Sequence, residues 1–203
     1  MSFFQNTCKP TGLGGKLMVN IMNNGHSKLA KWGFSHISPT ENADVLDAGC
    51  GGGANIASWL KLCPKGIITG LDYSEVSVEK AISLNLDEIK NNRCKVIQGD
   101  VSALPFENES FDIVSAFETI YFWPGLEHCF DEVYRVLKQN GDFMIVVECD
   151  GTNKSNEKWT KKIDGMTIYT EEEITILLKK VGFNEIKADH NDNHWMCIVA
   201  KKV

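Results

Sequence analysis

The chain has 203 residues, 43% of them hydrophobic, and a formal net charge of −6. That is enough apolar material to bury one sizeable core, and the acidic balance argues against a broad basic face for nucleic acid or anionic lipid. No apolar run reaches the roughly 18–20 residues that span a bilayer, and the first thirty residues lack the basic-then-apolar layout of a secretory leader. The seven cysteines (Cys8, Cys50, Cys63, Cys94, Cys129, Cys149 and Cys197) are an odd set without a C-x-x-C pair. They signal neither a disulfide framework nor a metal site, and read as reduced, mostly buried thiols of a cytoplasmic protein.

Residues 1–43 carry apolar positions at helical spacing, Leu17, Ile21 and Met22, then Leu29 and Trp32, interrupted by "NNGH" at 23–26. This predicts two short helices joined at a glycine, an N-terminal helical cap ahead of an α/β domain at 44–203, the whole forming one structural unit. From residue 44 strands and helices alternate. "ADVLDAG" is the first strand, followed by a helix over Asn55–Leu62 that Pro64 ends, and "GIITGLD" is the second strand. Ser74 is placed to cap a helix running to about Lys90. "CKVIQGD" and "FDIVSAF" are the third and fourth strands. Leu126, Phe130, Val133 and Leu137 fall at i, i+4, i+7 and i+11, a stripe down one helix that Asn140-Gly141 ends. "DFMIVVE" is the fifth strand. Thr170 and Glu173 form the capping box of a last helix that Gly182 closes, and "FNEIKAD" and "HWMCIVAK" flank the turn "HNDN" as a final hairpin. The expected fold is a doubly wound, Rossmann-like sheet of seven strands, mostly parallel with an antiparallel strand in the C-terminal hairpin, and helices on both faces. Ligands on such sheets bind outside the carboxyl ends of the strands. The polar stretch at 150–162 reads as a mobile segment near that edge.

The stretch "VLDAGCGGGAN" at 45–55 is an apolar run that meets an acid and then four glycines among five residues. Gly49, Gly51, Gly52 and Gly53 permit a tight turn and close approach of backbone to a ligand, with a helix N-terminus behind. Gly49-x-Gly51-x-x-Ala54 also satisfies a loose dinucleotide fingerprint, so the glycines alone are weak. The acids discriminate. Asp47 at the end of the first strand would repel a pyrophosphate and attract an ammonium. Asp72 ends the second strand, where a carboxylate accepts ribose hydroxyls. Asp100 ends the third, placed to accept from an adenine amino group while the Val101 N–H donates to the ring. The blander reading is that each Asp caps the helix after it.

"VLDAGCGGG", "GLDYS", "GDVSALPF", "FDIVSAFET" and "YRVLKQNGDFMIV" resemble, in order and spacing, the motifs of class I S-adenosylmethionine-dependent methyltransferases, with the flavour of the small-molecule group that includes ubiquinone- and menaquinone-biosynthesis enzymes. The resemblance covers residues 17–148 well and the last two strands loosely. It implies S-adenosylmethionine as cofactor and S-adenosylhomocysteine as product. It also implies that Asp47, Gly49 and Gly51 contact the methionine end, Asp72 the ribose and Tyr73 the adenine face. Asp100 with Val101 would read the adenine edge, and Phe117 would border the sulfonium. "LKQNGD" stands where the family commonly has Pro-Gly-Gly, a structural turn.

"FETIYFWPG" follows the fourth strand directly and brings Glu118, Tyr121, Phe122 and Trp123 toward the reacting centre, although Phe122 and Trp123 read equally well as core aromatics. The "MNxGHxxLxxWG" layout resembles the N-terminal cap of small-molecule members, which makes His26 a candidate base beside its alternative as a helix-capping histidine. Glu118, Tyr121 and His26 are thus the candidate catalytic residues. His128, His190 and His194 read as solvent-facing. Lys158, Lys161 and Lys162 around Trp159 read as a solvated loop face, in the segment expected to close the acceptor pocket together with the cap. Scattered cysteines, one of them inside the glycine turn, argue against metalloid methylation. The expected activity is methyl transfer to a small molecule, not to nucleic acid. The rivals are a methyltransferase-fold protein that binds cofactor without catalysis, and an NAD(P)-dependent oxidoreductase.

Overall fold

A computed structural model describes residues 6–8, 10–153 and 156–203; the parts of the N-terminal cap and of the polar 150–162 stretch that fall on other residues lie outside it. Seven strands form one sheet in the order β3-β2-β1-β4-β5-β7-β6. They are β1 (Val45–Ala48), β2 (Ile68–Asp72), β3 (Cys94–Gln98), β4 (Phe111–Phe117), β5 (Leu137–Val147), β6 (Asn184–His190) and β7 (Met196–Lys201). The first five are parallel; β7 runs antiparallel to both β5 and β6. Every residue of β1 and β2 is buried, as expected of parallel strands covered on both faces.

Alternation along the strands divides the core in two. Phe143, Ile145 and Val147 of β5 join Leu46, Val114, Phe130, Val133 and Leu178 on one face. Met144 and Val146 point the other way, onto Leu29, Val45, Ile56 and Trp59. This is the period of two in a strand with both faces buried. The first face is covered by α6 (Leu126–Val136) and, beyond the one-turn α7 (Glu157–Thr160), by α8 (Glu171–Val181), the second by α2 (Ser27–Phe34) and α3 (Ala54–Leu62). The capping box at Thr170 and Glu173 forms, and Gly182 closes α8 at φ 118°. α1 (Gly12–Gly25) packs against α4 (Glu75–Leu84). Lys202, only 6% exposed, donates to the carbonyls of Tyr134 and Leu137 at 2.9 and 2.7 Å and pins the chain beyond β7 to the end of α6.

Two boundaries differ from the sequence expectation. The helix beginning after Ser74 stops at Leu84 and restarts as α5 (Leu86–Lys90). Asn85 sits at the break, and its buried side-chain amide donates to the carbonyls of Gly53 and Ala81 at 3.1 and 3.0 Å. That tie runs to the glycine turn, which periodicity cannot reveal. The stripe residue Leu137 is not helical: α6 ends at Val136, Leu137 is extended with ψ 137°, and it pairs with Phe111. Asn140 then takes φ 62° where the register between β4 and β5 shifts.

Replacing Asn85 with Ala should leave the Gly53 carbonyl without its side-chain donor and cost about 1–3 kcal/mol. In thermal unfolding this should lower the midpoint by roughly 3–10 °C.

Candidate functional site

The glycine turn is hung from the neighbouring strand. The Gly49 and Cys50 N–H groups both donate to the Leu71 carbonyl, at 2.7 and 3.0 Å. Gly49, Gly51 and Gly53 all have positive φ, at 78°, 51° and 79°. A Cβ on Gly49 would stand 2.1 Å from the Thr119 hydroxyl, whereas one on Gly51 would meet nothing within 4 Å. So Gly49 is required by packing as well as by conformation, and Gly51 faces open space.

That space is a cavity of about 580 Å³ at the carboxyl edge of the sheet. Its wall takes Gly49 to Gly52 from the turn, Asp72 and Tyr73 at the end of β2, Asp100 and Val101 after β3, and Phe117 to Thr119 at the end of β4. From the other side come Val19, Met22, His26, Leu29 and Ala30 of α1, α2 and their junction. Phe122 and Trp123 close the floor; Trp123 also packs parallel to Phe143 with ring centroids 6.3 Å apart, so it is a core aromatic and a wall residue at once. No described lysine or arginine lines the cavity.

Each strand-end acid has its own setting. Asp47 lies beneath the turn rather than on the wall and is 1% exposed. Its Oδ1 accepts from the Ser115 hydroxyl at 2.9 Å, which in turn accepts from the Trp59 indole N–H, while its Oδ2 has no partner. Burial pushes its carboxyl up to about 7, against the Ser115 hydrogen bond and with the Asp72 charge adding to the rise. Asp72 accepts from the Gly51 N–H and the Ser74 N–H, both at 2.9 Å. Burial raises its pKa and those two donors hold the rise in check. Asp100 accepts through one oxygen from the Ser102 N–H and hydroxyl at 2.9 and 2.7 Å, capping the short turn Val101–Ala103. Capping and facing the cavity are therefore combined. Tyr73 is part-exposed on the wall, and its hydroxyl donates to the Cys8 carbonyl.

Glu118 has a left-handed backbone, φ 58°, that an L side chain rarely adopts. Its Oε1 accepts from the Tyr121 hydroxyl at 3.2 Å and from the Glu148 N–H, and its Oε2 lies 3.9 Å from His26 Nε2. Burial, then the Glu148 charge, hold its carboxyl well above the ordinary range. Burial lowers the His26 pKa, opposed by Glu148. His26 stands at the N-terminus of α2 but makes no side-chain cap bond. Tyr121 sits behind Glu118, with its hydroxyl also accepting from the Cys149 N–H at 3.0 Å, and does not reach the wall.

Other expectations are corrected. No described residue beyond Pro124 lines the cavity, so the described part of the segment after β5 does not close it. Instead Trp159, Met166, Ile168 and Tyr169 pack on the α6–α8 core, because these apolar residues are spaced between the polar ones. Lys158 and Lys162 lie over the Trp159 ring at 5.3 and 5.5 Å. His128, His190 and His194 are exposed, the last two against the buried Asp150. Sequence reasoning missed Glu148. It ends the fifth strand of the sequence reading, the same signal that singled out Asp47, Asp72 and Asp100. It also missed Thr119 and Ser115, whose roles depend on tertiary contact.

Residues 46–145 match the family model described as a methyltransferase domain. The chain is 32% identical over 162 residues to the sterol 24-C-methyltransferase of Debaryomyces hansenii, an alignment covering 75% of this chain and 43% of that protein. It is 24% identical over 182 residues to the sterol 4-C-methyltransferase strm-1 of Caenorhabditis elegans, covering 84% and 52%. The chain spans about half the length of these curated relatives. Among solved structures, Haemonchus contortus phosphoethanolamine N-methyltransferase 2, in complex with phosphomonomethylethanolamine and S-adenosylhomocysteine, shares the fold with a TM-score of 0.79 at 18% identity, over 100% of this chain and 60% of that one. A SAM-dependent methyltransferase from Aquifex aeolicus does so with a TM-score of 0.77 at 15% identity, over 93% and 98%.

The Glu118 setting has a measurable signature. Its carboxyl keeps its proton to higher pH in the folded chain than in the unfolded one, so unfolding releases a proton above the ordinary carboxylate range. Its contribution to stability is intact below that range and is lost as pH rises toward the folded-state value. Glu118→Gln should therefore match the parent in thermal midpoint near pH 5 and exceed it by an amount that grows toward pH 8 and above.

Proposed function

We propose, from the methyltransferase domain that residues 46–145 match, that this chain is a class I S-adenosylmethionine-dependent enzyme that transfers a methyl group to a small-molecule acceptor held between the N-terminal helices and the end of β4. The observation that carries the reading is the composition of one cavity wall: a glycine turn with the carboxylates of Asp72 and Asp100 beside it, Asp47 beneath, and no described lysine or arginine. A pyrophosphate would find no countercharge there, whereas a cationic nucleoside meets acids. This weighs against the nicotinamide rival.

The residues fit the cofactor. The unpartnered Oδ2 of Asp47 supplies buried negative charge under the turn for the methionine ammonium, and the open approach at Gly51 admits the methionine end beside Gly49. Asp72 would accept the ribose hydroxyls, Tyr73 flank the adenine, and Asp100 with the Val101 N–H read its edge. Bound S-adenosylmethionine supplies an activated methyl on a sulfonium, so the protein's work is alignment and exclusion of water. Phe117, Phe122 and Trp123 give that charge apolar and aromatic walls. His26, neutral because it is buried, can take a proton from the acceptor. Glu118 faces it, and Tyr121 positions Glu118 by its hydrogen bond. The cap and the α/β part act as one unit, and the seven free thiols support a cytoplasmic, reducing setting. No described helix is long and apolar enough to cross a membrane.

Thermal unfolding with S-adenosylmethionine, S-adenosylhomocysteine, NAD and NADP tests the cofactor. At a hundredfold excess over Kd a native-state ligand adds about 2.7 kcal/mol, so the two sulfur nucleosides should raise the midpoint by roughly 5–10 °C and the dinucleotides should not. A shift with NAD alone would overturn the reading. Methyl incorporation into small acceptors, read by mass, separates an enzyme from a cofactor-binding relative without catalysis.

Asp47 adds a linkage. Its carboxyl titrates near 7 in the free protein, and an ammonium beside it lowers that value. Cofactor binding near pH 6.5 should therefore release up to about one proton, seen by calorimetry in two buffers of different ionisation enthalpy, and affinity should rise from pH 5.5 to 8. Asp47→Asn should remove that release, with affinity lower by about tenfold or more at pH 8.

A further inference from the structure

One group of side chains beside the cavity is not used up by the cofactor. His26 from the α1–α2 junction, Glu118 after β4 and Glu148 after β5 each bring one atom to a common point, all within 4.8 Å of one another. His26 Nε2 and Glu118 Oε2 are 3.9 Å apart, too far to hydrogen-bond each other. The Oε1 of Glu118 is taken by Tyr121 and the Glu148 N–H, which leaves Oε2 directed toward His26. Two carboxyl groups, Glu118 on the wall and Glu148 behind it, thus converge beside a cavity with no described lysine or arginine in its wall. The arrangement calls for a cation.

Spacing decides which cation. A divalent metal bound by imidazole and carboxylate at about 2.0–2.2 Å draws neighbouring ligand atoms to roughly 3.0–3.6 Å of each other. A tetrahedral ammonium donating hydrogen bonds of about 2.9 Å holds its acceptors roughly 4.7 Å apart. With 3.9 Å between His26 and Glu118 and no pair beyond 4.8 Å, the set takes an ammonium as it stands, whereas a metal would need its ligands drawn closer together. Resting on the methyl-transfer reading above, we propose that the acceptor is a small primary amine whose nitrogen is seated between His26, Glu118 and Glu148. Its body lies against the apolar wall of Val19, Met22 and Phe122, and it carries no phosphate or carboxylate, for which the described wall has no partner.

The chemistry balances. The amine arrives protonated and is held by Glu148 and by Glu118, whose carboxyl gives up its proton to solvent as the cation binds. It gives one proton to the neutral His26 through Nε2, which frees its lone pair. That pair forms the N–C bond to the donated methyl as the C–S bond breaks and its electrons return to sulfur. The positive charge moves from sulfur to the methylated nitrogen, which stays beside Glu118 and Glu148, and the proton on His26 passes to solvent. The net products are the methylammonium, the neutral thioether and one proton.

The test is binding rather than turnover. Protein saturated with S-adenosylhomocysteine is titrated, by calorimetry and thermal shift, with a panel of small primary amines, each paired with its alcohol and its carboxylate isostere, and separately with Mn²⁺ and Zn²⁺. At least one amine should bind about tenfold or more tightly than both isosteres. That preference should be lost in Glu118→Gln and in Glu148→Gln, the second variant guarding against a folding defect in the first, while both still bind S-adenosylhomocysteine. If no amine surpasses its isosteres, if the preference survives both variants, or if the metals bind in place of the amines, the proposal is overturned. Failure of S-adenosylhomocysteine itself to bind would instead sink the methyl-transfer reading.

Discussion

The Asp72 carboxylate is the tie on which the carboxyl edge of the sheet is built. One oxygen takes the Gly51 N–H and the other the Ser74 N–H, so the turn after β1 and the start of α4 are both fixed to the end of β2. The turn is bonded a second time through Gly49 and Cys50 to the Leu71 carbonyl. Charge-assisted bonds from backbone N–H groups are among the stronger neutral-donor contacts a buried carboxylate can make. They offset part of its desolvation without supplying a positive charge. The same arrangement that shapes the turn therefore leaves net negative charge under it, and Asp47 and Asp72 raise the energy of each other's ionised form.

This pattern repeats along the edge. Asp100 caps its own short turn and still faces the cavity, and Glu118 accepts from Tyr121 and from the β5 end while its second oxygen looks toward His26. In each case one part of the carboxylate serves the scaffold and another serves the space in front. Capping and binding are two uses of one side chain here, not competing explanations. The left-handed backbone at Glu118 belongs to the same economy: strain of this kind persists where surrounding contacts over-determine a conformation.

Much of this was legible beforehand. The strand runs at 45–48, 68–72 and 111–117 stand out because parallel strands covered on both faces are largely apolar, the edge strand at 94–98 stands out through Val96 and Ile97 between Lys95 and Gln98, and the acids stand out because they lie at the ends of such runs. The break at Asn85, the extended state of Leu137 and the convergence of His26 with Glu148 were not legible. Each depends on a partner far away in the chain: Gly53 for Asn85, Phe111 for Leu137, and the cap for Glu148. Local periodicity carries no record of such partners. The polar segment after β5 misled for a related reason. Its lysines dominate its composition, while its few apolar side chains decide where it packs.

The place of β7 has a consequence for how the chain must assemble. β5 pairs with β4 on one side and with β7 on the other, and between them in sequence lie α8 and β6. As the polypeptide emerges during synthesis, the apolar run Phe143–Val147 must wait with one edge unpaired until Met196–Lys201 arrives. Unpaired apolar strand edges are adhesive to other chains. The sheet is therefore completed from its middle by a late segment, and Lys202, anchoring that segment to the carbonyls at the end of α6, acts as the latch that seals it.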